Sequence, residues 1–132
     1  MLMSREKSAL LVVDVQERLL PAIHAGDEVL ANCVWLVGVA KRLSVPTVVS
    51  EQYPKGLGRT EATLRSAASD AAWVEKLHFS CVADGCLAGS AVEERRQIVV
   101  CGTEAHVCVQ QTALELRWQG KEVFVVADAI GS

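Results

Sequence analysis

At 132 residues the chain is long enough for one domain with a buried core and too short for two. Hydrophobic residues make up 51% of it and charged residues 22%, a balance that excludes a disordered chain. The 13 basic and 16 acidic residues are mixed along the sequence and leave a net charge of -3, which argues against nucleic acid or an anionic membrane as the main partner.

The N-terminal region and the cysteines indicate a cytoplasmic protein. The first apolar run is too short to span a bilayer, and Asp14 follows it at once, unlike the cleavage region of a signal peptide. The five cysteines form an odd set without a Cys-x-x-Cys pair: Cys33, Cys81, Cys86, Cys101 and Cys108. We expect most of them to be free thiols in a reducing compartment, several of them filling the core.

Strands and helices alternate along the chain. Residues 9–13, ALLVV, are apolar throughout, as in parallel strands that are covered on both faces. A helix over 28–43 ends in Lys41 and Arg42 with Pro46 beyond, and a short helix over 60–69 is capped by Thr60 with Glu61 in its first turn. The complete set of predicted elements comprises strands at 9–13, 46–51, 72–80, 97–102 and 122–129, and helices at 28–43, 60–69, 84–96 and 106–120.

This alternation predicts a three-layer α/β/α fold with a doubly wound, mainly parallel, Rossmann-like sheet. Residues 1–132 form a single domain in this interpretation. The sequence stops just after the fifth strand, where another crossover helix would begin, so we expect the last helix and strand of the domain to be absent. We expect Trp35 and Trp118, in amphipathic helices, to lie in the core or at a subunit contact.

Three reactive side chains fall at the carboxyl ends of predicted strands, where open parallel sheets bind ligands. Asp14 follows the first strand, Lys76 lies at the end of the third and Cys108 follows the fourth. An acid, a base and a nucleophile on one edge of the sheet indicate a catalytic site. Each residue alone also has a structural explanation: a carboxylate bonded to loop amides, a solvated surface lysine and a packed helical cysteine.

Cys108 is the candidate nucleophile because it lies in a turn from strand to helix that contains a glycine. The unpaired N–H groups at such a helix start favour negative charge, so we expect a lowered thiol pKa and amides that hold a developing oxyanion. Asp14 would take the thiol proton and return it to a leaving group, and Lys76 would stabilise the thiolate and the carboxylate or hold the substrate.

Together the segments LLVVDVQ, SEQYPKGLG, EKLHFS and CGTEAHVCVQQTALEL resemble the isochorismatase-like cysteine hydrolases, over nearly the whole chain. The resemblance is closest to the isochorismatase domain-containing proteins, whose substrates are poorly defined. It implies a catalytic triad of Asp14, Lys76 and Cys108. It also implies a cis peptide at Thr103–Glu104 and an oxyanion hole formed by the N–H groups of Glu104 and Cys108.

The sequence also departs from two activities of that family. Nicotinamidases carry an Asp-x-His metal motif where this chain reads Glu51-Gln52-Tyr53, so we expect neither a catalytic metal nor another cofactor. True isochorismatases lack the nucleophilic cysteine, which is present here. The sequence therefore predicts a metal-independent cysteine hydrolase of a small amide or related carbonyl compound, with a substrate pocket lined by Gln52, Tyr53 and Phe79.

Other interpretations of the sequence remain open. One alternative is a non-catalytic ligand-binding or protein-interaction module. Another is a redox protein in which Cys108 is the sensor thiol and Cys101 or Cys81 lies near it in space. A zinc site formed by His78, Cys81 and Cys86 is disfavoured by their irregular spacing. For His106 we expect a structural or loop-facing role, since residues two apart on a helix point in different directions. The apolar stretch NCVWLVGVA and the family resemblance favour a homo-oligomer.

Overall fold

The computed structural model describes residues 1–132, which form one five-stranded parallel sheet flanked by helices on both faces. The strands lie in the order β3-β2-β1-β4-β5, and all four neighbouring pairs are parallel. Their bounds are Ser8–Val13 for β1, Thr47–Gln52 for β2, Ala72–Lys76 for β3, Gln97–Thr103 for β4 and Glu122–Gly131 for β5. This is the doubly wound α/β fold predicted from the sequence.

The helices that connect these strands differ widely in length. The α-helices are α1 Gly26–Arg42, α2 Pro54–Leu57, α3 Ala62–Ala67, α4 Cys81–Asp84, α5 Ala91–Glu94 and α6 Gln110–Trp118. Short 3₁₀ turns occupy Arg5–Lys7 and Leu20–Ala22, and one turn of π-helix, Ala105–Val109, leads into α6. None of these helices is both long and apolar enough to cross a membrane.

Strand β1 lies at the centre of the sheet because all six of its residues are apolar or small and are buried. Side chains alternate across a strand, so its residues contribute to both hydrophobic cores. Leu10 and Val12 pack with α1 and α3 on one face, whereas Leu11 and Val13 pack with α4, α5 and α6 on the other. From β1 the chain runs to β2 and β3 on one side of the sheet, and it then crosses to β4 and β5 on the other side. Where the strand order reverses in this way, between β1 and β4, a parallel sheet opens a crevice at its carboxyl edge.

Several predicted bounds were wrong, and glycines account for the largest difference. The helix predicted over 84–96 is two short helices, α4 and α5, because Gly85 and Gly89 adopt φ values of 83° and 75° that an α-helix does not contain. The third strand, predicted to reach residue 80, ends at Lys76. The helix over 60–69 begins with Glu61 as its cap, since the Glu61 side chain accepts from the N–H groups of Thr63 and Leu64, and Thr60 lies outside it.

The C-terminal elements and the tryptophans also differ from expectation. The last strand continues to Gly131 rather than 129, and the helix predicted over 106–120 begins as the π-turn and ends at Trp118. Trp35 is 67% exposed and Trp118 83% exposed. Neither tryptophan belongs to the core, so a subunit contact is the remaining sequence-based interpretation for both.

Candidate active site

Asp14, Lys76 and Cys108 come together at the carboxyl edge of the sheet. Asp14 follows β1, Lys76 ends β3 and Cys108 lies in the π-turn after β4. The Oδ2 atom of Asp14 lies 2.8 Å from Nζ of Lys76, and both side chains are completely buried. Both charged groups act on the pKa of the Cys108 thiol, which is itself 5% exposed. The structure therefore places all three candidate catalytic residues in one buried cluster.

Hydrogen bonds from two neighbouring strands fix Asp14, one at its carboxylate and one at its backbone carbonyl. Ser50, at the position in β2 that pairs with Val13, donates from Oγ to Asp14 Oδ1 at 2.7 Å. Thr103, at the end of β4, donates from Oγ1 to the Asp14 carbonyl at 2.6 Å. Oδ2 lies 2.8 Å from the Lys76 ammonium, its ion-pair partner. Both carboxylate oxygens are thus held, Oδ1 by the Ser50 hydroxyl and Oδ2 by the Lys76 ammonium.

Ser50 was missed by the sequence reasoning. Its signal was a small polar residue near the carboxyl end of a buried strand, directly after two valines. That signal becomes informative only when β2 is known to lie beside β1, because the strand pairing then directs the hydroxyl at the carboxylate.

The Lys76 ammonium is surrounded by oxygen atoms. Besides the Asp14 carboxylate, Nζ contacts Oε1 of Gln52 at 2.6 Å and the carbonyl oxygens of His78 at 3.1 Å and Phe79 at 2.8 Å. Burial lowers the pKa of Lys76, but the Asp14 charge and hydrogen bond outweigh it and leave the pKa raised. Lys76 is therefore a fixed positive charge rather than a proton donor at neutral pH.

The side chain of Gln52 belongs to this cluster. Its Oε1 accepts from Lys76, and its Nε2 donates to the carbonyl of Leu77 at 2.9 Å. Its backbone is bound by the buried side chain of Gln16, which donates to the Gln52 carbonyl and accepts from the Gln52 N–H. The structure thus shows Gln52 holding the lysine, while its predicted contact with substrate stays a prediction.

Tyr53 and Phe79, the other predicted substrate contacts, lie at the edge of the cluster and are 50% and 54% exposed. A cavity of about 460 Å³ lies beside Lys76 and is lined by Tyr53, Pro54, Lys55, Glu75, Lys76, Leu77 and Asp84. Phe79 does not line this cavity. Both aromatic rings are thus partly open to solvent, and only Tyr53 lines the cavity beside Lys76.

The Cys108 thiol does not have the lowered pKa that its place near a helix start predicted. Burial, then the charge and hydrogen bonding of Asp14, raise its pKa from 9.0 to about 12, and Lys76 only partly opposes them. That expectation was wrong because it counted the helix amides and ignored the burial of the thiol and the carboxylate that β1 brings to it. Cys108 is therefore a neutral thiol at neutral pH.

The turn between β4 and α6 presents backbone groups beside the thiol. The peptide bond between Thr103 and Glu104 is cis. The Glu104 carbonyl accepts from the N–H groups of Val107 and Val109, whereas the Glu104 N–H makes no hydrogen bond. An unbonded amide at the start of the turn that carries a buried thiol is chemically suited to bind a developing oxyanion.

Comparison with known proteins agrees with this fold. The isochorismatase domain family matches residues 8–132. The chain belongs to the isochorismatase family. It is 40% identical over 131 residues to isochorismatase domain-containing protein 1 of Danio rerio, covering 98% of this chain and 46% of that protein. The chain thus spans about half the length of that curated relative.

Two solved structures resemble this member of the isochorismatase family along nearly its whole length. The MAR1 ribonuclease of Caenorhabditis elegans superposes with a TM-score of 0.92 at 36% identity, covering 100% of this chain and 68% of the other. The YcaC gene product of Escherichia coli, described as an octameric hydrolase of unknown specificity, superposes with a TM-score of 0.90 at 26% identity. That match covers 98% of this chain and 66% of the other.

Glu51 and Gln52, which occupy the position of the nicotinamidase metal motif, have structural roles in this isochorismatase domain. The buried Glu51 accepts from the N–H and the hydroxyl of Thr60 at 2.6 and 2.8 Å, and Gln52 holds Lys76. No group of three or more His, Cys, Asp or Glu side chains is arranged to hold a metal ion. His78, the histidine of the disfavoured zinc site, instead places Nδ1 3.0 Å from Oδ2 of Asp84.

The remaining histidine candidate, His106, hydrogen-bonds to Ser132 and not to Cys108. Nδ1 of His106 lies 2.7 Å from Oγ of Ser132, and the His106 N–H also points to that hydroxyl. His106 therefore ties the π-turn to the end of β5, in keeping with the structural role expected of it. All five cysteines are free thiols.

Proposed function

We propose that this isochorismatase domain is a metal-independent cysteine hydrolase that cleaves a small amide or related carbonyl compound through a thioester on Cys108. The observation that carries the proposal is the completely buried Asp14–Lys76 ion pair, both of whose charges act on the Cys108 thiol. A buried ion pair is costly to assemble, so it is weak evidence for stability and better explained by a chemical role. Metal independence rests on Glu51 and Gln52, which are engaged elsewhere and bring no imidazole.

In the first half of the reaction Asp14 Oδ2 takes the thiol proton as Sγ of Cys108 bonds to the substrate carbonyl carbon. General-base assistance is needed because the raised pKa leaves almost no thiolate at neutral pH. The N–H groups of Glu104 and Cys108 bind the oxyanion in this proposal. When the tetrahedral intermediate collapses, the carbon–nitrogen bond breaks, the amine takes the proton from Asp14, and the acyl group remains on sulfur.

In the second half water cleaves the thioester. Asp14 removes a proton from the water, whose oxygen attacks the acyl carbon, and the carbon–sulfur bond breaks to release the acid. The Asp14 proton returns to the Cys108 thiolate, so the enzyme is regenerated. Lys76 stays protonated throughout, because its raised pKa keeps it cationic, and it holds the carboxylate in place.

The proposed substrate is small, and Gln52, Tyr53 and Phe79 are its proposed neighbours. The nematode relative is described as a ribonuclease. For this chain a polynucleotide substrate is disfavoured by the net charge of -3 and by the deep burial of the cluster, which a phosphate backbone does not reach. We further propose a cytoplasmic homo-oligomer, supported by the octameric bacterial relative and by the exposed Trp35 and Trp118.

The test is to trap the thioester. The protein is incubated with a panel of small amides and activated esters, quenched in acid, and Cys108 is searched for an acyl adduct by mass spectrometry. We expect an adduct that turns over in the wild type and is absent in Cys108→Ala and Asp14→Asn. Cys86→Ala is the matched control, because it removes a thiol outside the cluster, and it should behave as the wild type.

The outcomes separate the proposal from its rival. Turnover retained in Cys108→Ala or Asp14→Asn would contradict the mechanism. An intact fold that binds compounds from the panel without any adduct or turnover would instead favour a non-catalytic ligand-binding module.

A further inference from the structure

The segment that follows β3 supplies much of the environment of Lys76. Residues 77–80 form a bend between β3 and α4. Two of its carbonyl oxygens, those of His78 and Phe79, contact the Lys76 ammonium, and a third, that of Leu77, accepts from the Gln52 amide. The position of the ammonium therefore depends on how these peptide groups are oriented.

Asp84, which ends α4, holds this segment from the opposite side. Its Oδ2 accepts from the N–H of Leu77 at 2.9 Å and from the N–H of His78 at 3.1 Å, and it lies 3.0 Å from Nδ1 of His78. Burial raises the pKa of Asp84, but these hydrogen bonds outweigh it and leave the pKa lowered. The carboxylate is thus ionised at neutral pH, which strengthens each bond that it accepts.

Because the peptide bond is planar, the hydrogen bonds that Asp84 accepts from two N–H groups also orient the carbonyl groups of the same peptides. In a trans peptide the N–H and C=O groups point in opposite directions, so fixing one orients the other. The N–H of Leu77 is bound by Asp84, and the carbonyl of the same peptide, at Lys76, accepts from the N–H of Tyr53 at 2.9 Å. The N–H of His78 is bound by Asp84, and the carbonyl of that peptide, at Leu77, accepts from Gln52.

We propose that Asp84 is a positioning residue of the hydrolase site, which acts on Lys76 through two consecutive peptide groups and the side chain of Gln52. The proposal rests on the proposed function for its chemical meaning and adds a residue that touches no reacting atom. Without Asp84 the N–H groups of Leu77 and His78 lose their shared acceptor, so the orientation of both peptide groups is less firmly fixed. The Leu77 carbonyl then no longer anchors the Gln52 side chain, so the Gln52 oxygen moves away from the ammonium, and the ammonium shifts relative to Asp14 and Cys108.

The first measurement follows the ammonium directly and needs no substrate. A buried, hydrogen-bonded ammonium exchanges its protons slowly and is visible in ¹H–¹⁵N spectra that detect lysine side chains; the Lys76 signal is the one lost in Lys76→Arg. We expect Asp84→Ala to broaden this signal beyond detection and Asp84→Asn to retain part of it, because an amide oxygen still accepts hydrogen bonds. Asp70→Ala is the matched control, since Asp70 is exposed and makes no side-chain hydrogen bond, and it should leave the signal unchanged.

The second measurement links the position of Lys76 to the thiol. Lys76 lowers the pKa of Cys108, so a displaced ammonium should slow alkylation of Cys108 at pH 9 by about threefold or more. The slowing should be largest in Lys76→Met, smaller in Asp84→Ala and absent in Asp70→Ala. A structural role alone predicts the opposite sign, since a loosened segment exposes the thiol and speeds its alkylation.

The proposal is overturned if Asp84→Ala leaves the ammonium signal and the Cys108 rate unchanged, or if Asp84→Ala speeds alkylation. It is also overturned if Asp70→Ala reproduces the effects of Asp84→Ala. Failure of the proposed function has a different signature: no acyl adduct forms on Cys108 in the wild type, whatever the Asp84 variants show.

Discussion

The reactivity of Cys108 should respond in opposite directions to its two charged neighbours. Burial and the Asp14 carboxylate raise the pKa of the thiol to about 12, and the Lys76 ammonium opposes them. Asp14→Asn removes a negative charge, so the thiolate forms more easily and alkylation should become faster. Lys76→Met removes the positive charge, so alkylation should become slower.

The magnitudes follow from the thiolate fraction. At pH 8 a thiol with a pKa of about 12 in place of 9.0 carries roughly a thousandfold less thiolate, so Cys108 should be alkylated roughly a thousandfold more slowly than an ordinary thiol. A charge at this range changes a pKa by about 1 or more, so Asp14→Asn should speed the reaction at least about tenfold. The Asp14 carboxylate, which is the base in the proposed reaction, thus lowers the thiolate fraction of Cys108 in the resting protein.

The assay is timed iodoacetamide labelling with site-resolved mass spectrometry, in which two other cysteines serve as internal references. Cys86 is partly exposed, and the hydrogen bond from the Cys81 thiol lowers its pKa, so it should be the fastest thiol in the chain. Cys101 is completely buried in the core on the opposite face of the sheet, and its labelling reports general opening of the fold.

Two results would refute this reasoning. Wild-type Cys108 that labels as fast as Cys86 would show that burial and the Asp14 charge do not control the thiol. Parallel acceleration of Cys108 and Cys101 in both variants would show that the substitutions act by opening the fold rather than through charge.

Three further predictions concern stability. Ser50→Ala leaves the buried Asp14 carboxylate without its hydroxyl donor, so the free energy of unfolding should fall by about 1–3 kcal/mol in urea titrations; an unchanged midpoint would contradict this role. Gly102→Ala should prevent stable folding, because at a φ of 116° its Cβ would overlap the backbone of β1; Gly38→Ala, in open space on α1, is the control and should melt at the same temperature or slightly higher. A hydrogen bond with the Cys33 thiol and burial raise the pKa of Cys101, so the unfolded chain releases the Cys101 proton at a lower pH than the folded chain. The free energy of unfolding should therefore be unaffected by ionisation of this thiol below about pH 9 and decline above it. If the decline at alkaline pH is not reduced in Cys101→Ala, this contribution is ruled out.

The parts of the fold predicted correctly are those in which the amino-acid composition of a segment determines how deeply it is buried. The apolar run of β1 indicates a strand that is covered on both faces, and Asp14 directly after it marks the carboxyl edge of the sheet. Lys76 and Cys108 were placed on the same edge because parallel strands all end there. Periodicity could not show that Gly85 and Gly89 both take left-handed conformations and divide one predicted helix.

The details of the site escaped prediction because they depend on which strands are neighbours. Ser50 reaches Asp14 only because β2 pairs with β1, and the resting pKa of Cys108 follows from the carboxylate that β1 places beside β4. Asp84 contacts its partners through backbone amides, which leave no mark in the side-chain pattern.

The central position of β1 also sets the order in which the domain can be assembled. β1 is complete at Val13, but its partner in β4, Gly102, lies 89 residues further along the chain. Pairings of such long sequence separation form slowly, and one edge of the most apolar strand stays open until β4 has been synthesised. A nascent chain can join Asp14 to Lys76 once β3 is made, well before Cys108 exists. The acid and its counter-ion therefore precede the nucleophile along the chain, and both are synthesised before the thiol.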